Sequence, residues 1–323
     1  MNKTIIKMNY ILITGGAGFI GTHLIEELIQ NVQNYVVAVD NLSMCDEKNV
    51  SKFYNKVNFA FHKVELTDQY ELAQIFVQYK FSKVYHLAAN SDISRSFTNP
   101  FIDYNNTFNT TWNILEQLRI NNIKKFVFAS TSAIFGEVGD HIINESFGPI
   151  LPISHYGAGK LASEAFISSF TYNYDIESLI VRFPNVIGEY STHGVIYDFI
   201  KKLKANPNEL VVLGDGKQEK SYLYVKDLII AIQCAWDAKS EKVDIFNIGG
   251  IDTINVSEIA TIVVKNIGLG SKITFTGGDR GWKGDVPKFS YDIKKILSTE
   301  WTPKLNSKEA VDLTVKLLIK ELW

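Results

Sequence analysis

The sequence predicts an α/β fold: a doubly wound parallel sheet with helices on both faces, followed by a smaller C-terminal part. Short β-branched apolar runs alternate with stretches of helical periodicity from Ile11 to about Phe183. A glycine-rich turn joins the first run to the first helix. Beyond Asn185 the alternation loosens, and 323 residues exceed what one core of ordinary size needs.

Ile11-Leu12-Ile13 is apolar and β-branched, as a buried parallel strand is. Thr14-Gly15-Gly16-Ala17-Gly18-Phe19-Ile20-Gly21 follows with glycines at G-x-x-G-x-x-G spacing, and Thr22 to Gln30 then has helical period. Glycine serves where the chain takes positive φ and where a pyrophosphate approaches bare backbone; the N–H groups opening the helix point at that anion. A turn that merely packs a helix close to a strand has the same glycines, so the next strand decides. Tyr35 to Val39 ends in Asp40, about 20 residues past the glycines, where a carboxylate accepts from both hydroxyls of an adenosine ribose. The turn therefore reads as a dinucleotide cradle. Asp40 repels a 2′-phosphate and Asn41-Leu42-Ser43 offers no arginine to hold one, which favours NAD over NADP.

The alternation continues with a strand at Val57 to Phe61, a helix capped by Asp68 through Gln78, a strand at Lys83 to Ala89, a long helix over about 101–121 and a strand at Lys125 to Ala129. A helix from His155 to Tyr172 and a strand from Ser178 to Phe183 complete the regular part. Later helices are expected near 195–204, 226–237, 256–267 and 307–322, with a strand near 244–248 returning to the main sheet. This places an NAD-binding domain at 1–184, together with the returning strand, and a mainly substrate-binding domain at 185–323. Ligands are expected beyond the carboxyl ends of the strands.

Charge and cysteine content narrow the partners. With 33 Lys and Arg against 35 Asp and Glu, the net charge of -2 points to neither nucleic acid nor a membrane surface. Cys45 and Cys234 fit no metal spacing and no disulfide framework, so a reducing compartment, the cytoplasm, is expected. The six histidines show no metal-ligand spacing, and no metal is expected. No apolar run approaches the ~18 residues that span a bilayer, the first ten residues lack a signal-peptide core, and residues 1–7 are expected to form a loose extension.

Chemistry is expected where the fifth strand ends, at Ser130-Thr131-Ser132, and at Tyr156-Gly157-Ala158-Gly159-Lys160. Helix positions four apart share a face, and a neighbouring cation favours the phenolate form of a tyrosine, which suits a general base. Thr131 is placed to hydrogen-bond the reacting oxygen. A surface tyrosine with a lysine neighbour has the same spacing; its position after a nucleotide site favours the chemical reading.

These motifs, with His86-Leu87-Ala88-Ala89, Pro152-x-Ser154-x-Tyr156, Arg182-Phe183-Pro184-Asn185-Val186-Ile187-Gly188 and Gly214-Asp215-Gly216-x-Gln218, resemble the extended short-chain dehydrogenase/reductases of the nucleotide-sugar epimerase/dehydratase group. The resemblance covers nearly the whole chain and implies a Rossmann domain binding NAD and a nucleotide-diphosphate sugar. It implies that Tyr156 is the base, that Lys160 lowers its pKa and binds the nicotinamide ribose, and that Thr131 is the catalytic hydroxyl. NAD contacts are implied for Gly15, Gly18, Phe19, Ile20, Gly21, Asp40, Asn41, Leu42, Ser43, Glu65, Leu66, Leu87, Ala88, Ala89, Ser130, Tyr156, Lys160 and Phe183. Substrate contacts are implied for Thr131, Asn185, Lys220, Arg280 and Phe289, with Arg280 as the diphosphate arginine. Lys220 stands where many relatives carry arginine, and Thr107 replaces a common asparagine.

Relatives that dehydrate or decarboxylate carry an acid just after the catalytic threonine; here those positions are Ser132 and Ala133, which cannot supply it. Hydride and proton exchange at one carbinol remains, at sugar C4 by resemblance, as in a UDP-sugar 4-epimerase of polysaccharide biosynthesis. A C4 dehydrogenase releasing the 4-keto sugar, with a GDP-linked hexose or heptose as a further substrate class, is the alternative. A non-enzymatic dinucleotide-binding regulator is the third reading, and it has no use for Thr131, Tyr156 and Lys160 together. Phe108, Trp112, Leu115, Leu161, Ala162, Phe166 and Phe170 supply apolar surface for the homodimer that the resemblance implies. Phe289 aligns with a gate that, when bulky, excludes N-acetyl groups.

Overall fold

The computed structural model describes residues 8–278 and 289–323. The first part of the chain runs β1 (Asn9–Thr14), α1 (Phe19–Leu28), β2 (Asn34–Asp40), α2 (Lys48–Ser51), β3 (Phe59–Lys63), α3 (Gln69–Gln78), β4 (Lys83–His86), α4 (Ile93–Thr98), α5 (Phe101–Asp103), α6 (Thr110–Ile120) and β5 (Lys125–Thr131). It continues with β6 (Ile142–Ile143), α7 (His155–Tyr174), β7 (Glu177–Phe183), β8 (Asn185–Ile187), α8 (Val195–Ala205), β9 (Glu209–Val212), β10 (Glu219–Lys220), β11 (Tyr222–Tyr224) and α9 (Val225–Asp237). The last elements are β12 (Val243–Asn247), β13 (Ile254–Asn255), α10 (Val256–Ile267), β14 (Lys272–Phe275), β15 (Ser290–Tyr291), α11 (Lys294–Leu297) and α12 (Ser307–Leu322).

Seven strands form a parallel sheet in the order β12-β7-β5-β4-β1-β2-β3, flanked by helices, as the sequence predicts. Between β2 and β4, Leu12 of β1 pairs with Val37 on one side and Val84 on the other. These three, with Phe126 and Phe128 of β5, have no solvent exposure and belong to one core cluster. Burial on this scale contributes about 1.5–3 kcal/mol per large side chain. Because order reverses on either side of β1, the carboxyl ends of β1 and β4 flank the crevice where doubly wound sheets bind ligands.

Three local differences have physical causes. β3 starts at Phe59 rather than Val57, because register with β2 pairs Val36 with Phe59 and leaves Val57 exposed before the strand. β4 stops at His86, and Leu87–Ala89 leave the sheet half-buried. The long helix is interrupted: Tyr104–Asn109 winds as a π-helix between α5 and α6. There Thr107 Oγ1 donates to Asp103 Oδ1 at 3.0 Å and accepts from the Asn90 N–H at 3.2 Å, a side-chain alternative to regular helical bonding. The expected ends of α10 and α12 hold, each helix beginning in a capping box, Asn255 with Glu258 and Asn306 with Glu309.

The chain divides into two compact units. The first gathers residues up to Ser130, Ala158–Val181 and Lys239–Ile245; the second gathers Thr131–Gly157, Arg182–Ala238 and the chain from Phe246 onward. Residues 131–157 and 182–184, which the sequence reading groups with the first domain, thus lie in the second unit. Among the described residues no helix is long and apolar enough to cross a membrane.

Candidate active site

In the first unit the glycine turn is shaped for close approach. Gly15 has φ 68°, and a Cβ there would sit 2.8 Å from the Ala88 nitrogen, so any other residue would push the turn away from the chain leaving β4. Helix α1 starts at Phe19 with Gly18 as its N-cap and no side chain bonding its first N–H groups. That leaves the helix start open to an anion. Asp40 at the end of β2 accepts from the Ala17 N–H at 3.1 Å and the Leu42 N–H at 2.9 Å, which fixes its carboxylate against the turn. Cys45 also lies on Asp40 at 3.5 Å, and burial followed by the Asp40 charge pushes that thiol up to about 12.

The chain after β2 and β3 is tied together. Asn41 donates to Glu65 at 2.8 Å and the Thr67 N–H to the same carboxylate at 3.1 Å. Burial alone raises the Glu65 pKa, but these bonds outweigh it and the group ends below its ordinary value. Leu66 beside it is buried, while Asn41 and Leu42 are half-buried and Ser43 is exposed. These residues, with Gly15 and the open start of α1, fit the adenosine half of NAD: carboxylate for ribose, bare backbone for pyrophosphate.

Beneath the turn lies a buried polar chain. Thr14 Oγ1 meets His86 Nδ1 at 2.6 Å, His86 Nε2 meets Thr111 Oγ1 at 3.0 Å, and Ser163 donates to Thr111 at 3.2 Å. His86 is fully buried, and burial, then the nearby Lys160 charge, lowers its pKa well below the ordinary value. Lys160 is itself only 2% exposed, donates to the Ala129 carbonyl at 2.7 Å, and lies 4.6 Å from the Phe128 ring centre. Burial lowers its pKa to about 7 against the opposing pull of Glu164 and Asp103. Glu164, also buried, accepts from Ser130 at 2.5 Å.

In the second unit, Thr131 caps a short 3₁₀ turn, Ser132–Ile134, by accepting from the Ala133 N–H at 3.1 Å. The start of α7 lies against that turn: a Cβ on Gly157 would come 2.9 Å from the Ala133 carbonyl carbon, and the Gly157 N–H donates to Ser154 at 3.0 Å. This brings the Thr131 segment beside the helical turn carrying half-buried Tyr156, with Lys160 one turn further along the same helix. Asn185 and Phe183 are half-buried; Asn185 opens β8 and pairs with Tyr222 of β11, and Lys220 pairs with Ile254 of β13. Phe289 is buried against Phe135, 6.0 Å between rings, and edge-on to Tyr291 at 4.7 Å. Arg280 lies outside the described residues. Among the described residues no group of histidines, cysteines and carboxylates would hold a metal ion.

Two buried groups beside Lys160 escape the sequence reading. Glu164 stands at i+4 from Lys160, a spacing that was available to find it; Asp103 carries no local signal. In the second unit, Gln218 is buried with neither end of its amide hydrogen-bonded within the described residues, an arrangement that a ligand or water must complete.

A sequence profile of the NAD dependent epimerase/dehydratase family matches residues 11–249. The chain is 34% identical over 311 residues to a putative UDP-glucose 4-epimerase of Methanocaldococcus jannaschii, covering 94% of this chain and 97% of the relative. Among solved structures it resembles a UDP-galactose 4-epimerase with TM-score 0.86 and 36% identity, covering 97% of this chain and 100% of that one. It also resembles the UDP-glucose 4-epimerase of Thermotoga maritima, crystallised with UDP-glucose, with TM-score 0.87, 30% identity and the same coverage.

Proposed function

The chain belongs to the NAD dependent epimerase/dehydratase family, and from that membership we propose that it is a UDP-sugar 4-epimerase whose base is Tyr156. It is an NAD-dependent enzyme of the extended short-chain dehydrogenase/reductase type. The observation that carries the choice within the family is the turn after Thr131. Its next two positions are Ser132 and Ala133, so no carboxyl group follows the threonine to take a proton from C5 or donate one to a leaving hydroxyl.

In this reading Tyr156 removes the proton of the sugar C4 hydroxyl and later returns it. Thr131, fixed as cap of its turn, hydrogen-bonds the same oxygen. Lys160, one helical turn away, favours the ionised tyrosine by its charge. NAD, when bound, supplies the site that accepts a hydride and gives it back. Asn185, Lys220 and Arg280 hold the diphosphate, leaving the sugar free to present its other face. Phe289, packed on Phe135, favours a sugar without an N-acetyl group.

The protein is further read as a cytoplasmic homodimer serving polysaccharide synthesis. Support for the dimer is an aromatic face on the first unit: Phe166 lies 5.4 Å from Phe108 and 5.2 Å from Trp112, and Phe101 and Tyr104 beside them are exposed. Product analysis by NMR after incubation with UDP-glucose and catalytic NAD tests the activity. Inverted C4 configuration without net reduced cofactor is expected; a 4-keto product with stoichiometric reduced cofactor would replace the epimerase with the dehydrogenase.

A further inference from the structure

A buried lysine amine tends to lose its proton, because burial penalises the charged form. Lys160 is in that position, with one backbone oxygen and one aromatic face as its close contacts from β5. The titratable groups coupled to it are His86 from β4, Asp103 from the end of α5, and Glu164 one turn further along α7; Tyr156 stands one turn before it in the sequence of the helix. His86 is driven neutral, so the two carboxylates are the groups that oppose loss of the Lys160 charge.

Asp103 is the less expected of the two. It is 1% exposed; its Oδ1 accepts from Asn90 at 3.0 Å and from Thr107 at 3.0 Å, while Oδ2 accepts no hydrogen bond from the described residues. A buried carboxylate with one bare oxygen is unfavourable unless a positive charge compensates it. Helix α7 passes close by at the right place: a Cβ on Gly159, the residue before Lys160, would lie 3.4 Å from the Asp103 carbonyl oxygen and 3.2 Å from Thr107 Cγ2. The π-helix starts directly after Asp103, and such irregular turns recur at functional sites.

We propose that Asp103 is a positioning residue which, acting through Lys160 and jointly with Glu164, holds the lysine in the ammonium form on which Tyr156 depends. Its role in turnover rests on the reading of Tyr156 and Lys160 given above; the electrostatic coupling to Lys160 does not. Burial leaves Lys160 with a pKa of about 7 even with both carboxylates present, so losing either lowers it further.

The test compares the full chain with Asp103→Asn and Glu164→Gln, reading both the pH profile of kcat/KM on UDP-glucose and the pH dependence of the urea midpoint. In each variant the alkaline limb of turnover is expected to move down by about one pH unit, and the pH at which stability begins to rise moves with it. In a Lys160→Met background the stability shift disappears. A stability shift without any sugar turnover sustains the coupling and overturns only the sugar reading. An unchanged stability profile in Asp103→Asn, or the same shift persisting without Lys160, overturns the proposal. Should Asp103→Asn fail to fold, Asp103→Ser, which keeps a hydroxyl for Asn90, decides it by the same readouts.

Discussion

Replacing Lys160 with methionine keeps most of the side-chain volume and removes a group whose titration burial shifts strongly. In the folded protein the amine titrates near 7 instead of its ordinary 10.5. The unfolded chain therefore binds more protons than the folded one between these values, and stability rises with pH across that window, fully present above 10.5 and lost as pH falls through 7. At about 1.4 kcal/mol per unit, the whole window corresponds to about 5 kcal/mol, and the interval from pH 7 to 9 to about 2 kcal/mol. Urea unfolding at pH 7, 8 and 9 measures this directly. Wild type is expected to gain that amount relative to Lys160→Met, since other titrating groups are common to both proteins and cancel. Parallel curves for the two proteins from pH 7 to 9 would refute the buried, destabilised cation.

Other substitutions probe separate parts of the site. Tyr156→Phe should abolish turnover while NAD affinity, read by calorimetry, stays near wild type, because only the hydroxyl is lost. Asp40→Ala should weaken NAD about tenfold or more, since the ribose loses a charged acceptor and the Ala17 and Leu42 N–H groups lose theirs; unchanged affinity counts against the ribose assignment. Phe166→Asp places a charge in the aromatic face and should halve the mass seen by light scattering, whereas a wild-type protein that is already monomeric removes the dimer. Phe289→Ala should cost about 3–5 kcal/mol by emptying a buried aromatic site, and should raise turnover of UDP-N-acetylglucosamine relative to UDP-glucose; an unchanged ratio dismisses the gate.

What the sequence made legible follows from the range of the interactions concerned. The glycine turn and Asp40 were readable because strand, turn and helix are adjacent in sequence and each has its own pattern. The same holds for α10 and α12, whose capping boxes are local. The start of β3 depends on register with β2, which a local apolar run does not encode. The π-helix depends on Asp103 and Asn90 meeting Thr107, and the charge environment of Lys160 depends on α5 and β4; these elements are joined only by tertiary packing. Periodicity reports which face of an element is buried. It does not report which buried polar groups meet there.

The division of the chain into two interleaved units has a consequence for its birth on the ribosome. The sheet gains its outermost neighbour for β7 only when β12, Val243–Asn247, has been made. At roughly 5–20 residues per second, that strand follows β7 by about 3 to 13 seconds of synthesis. During this interval β7 is a terminal strand with unpaired backbone groups, the kind of edge that recruits other chains. Ser178, whose N–H will donate to the Lys242 carbonyl, waits for a partner that has not yet been translated. Codon choice between residues 184 and 242 therefore sets how long the nascent sheet stays open.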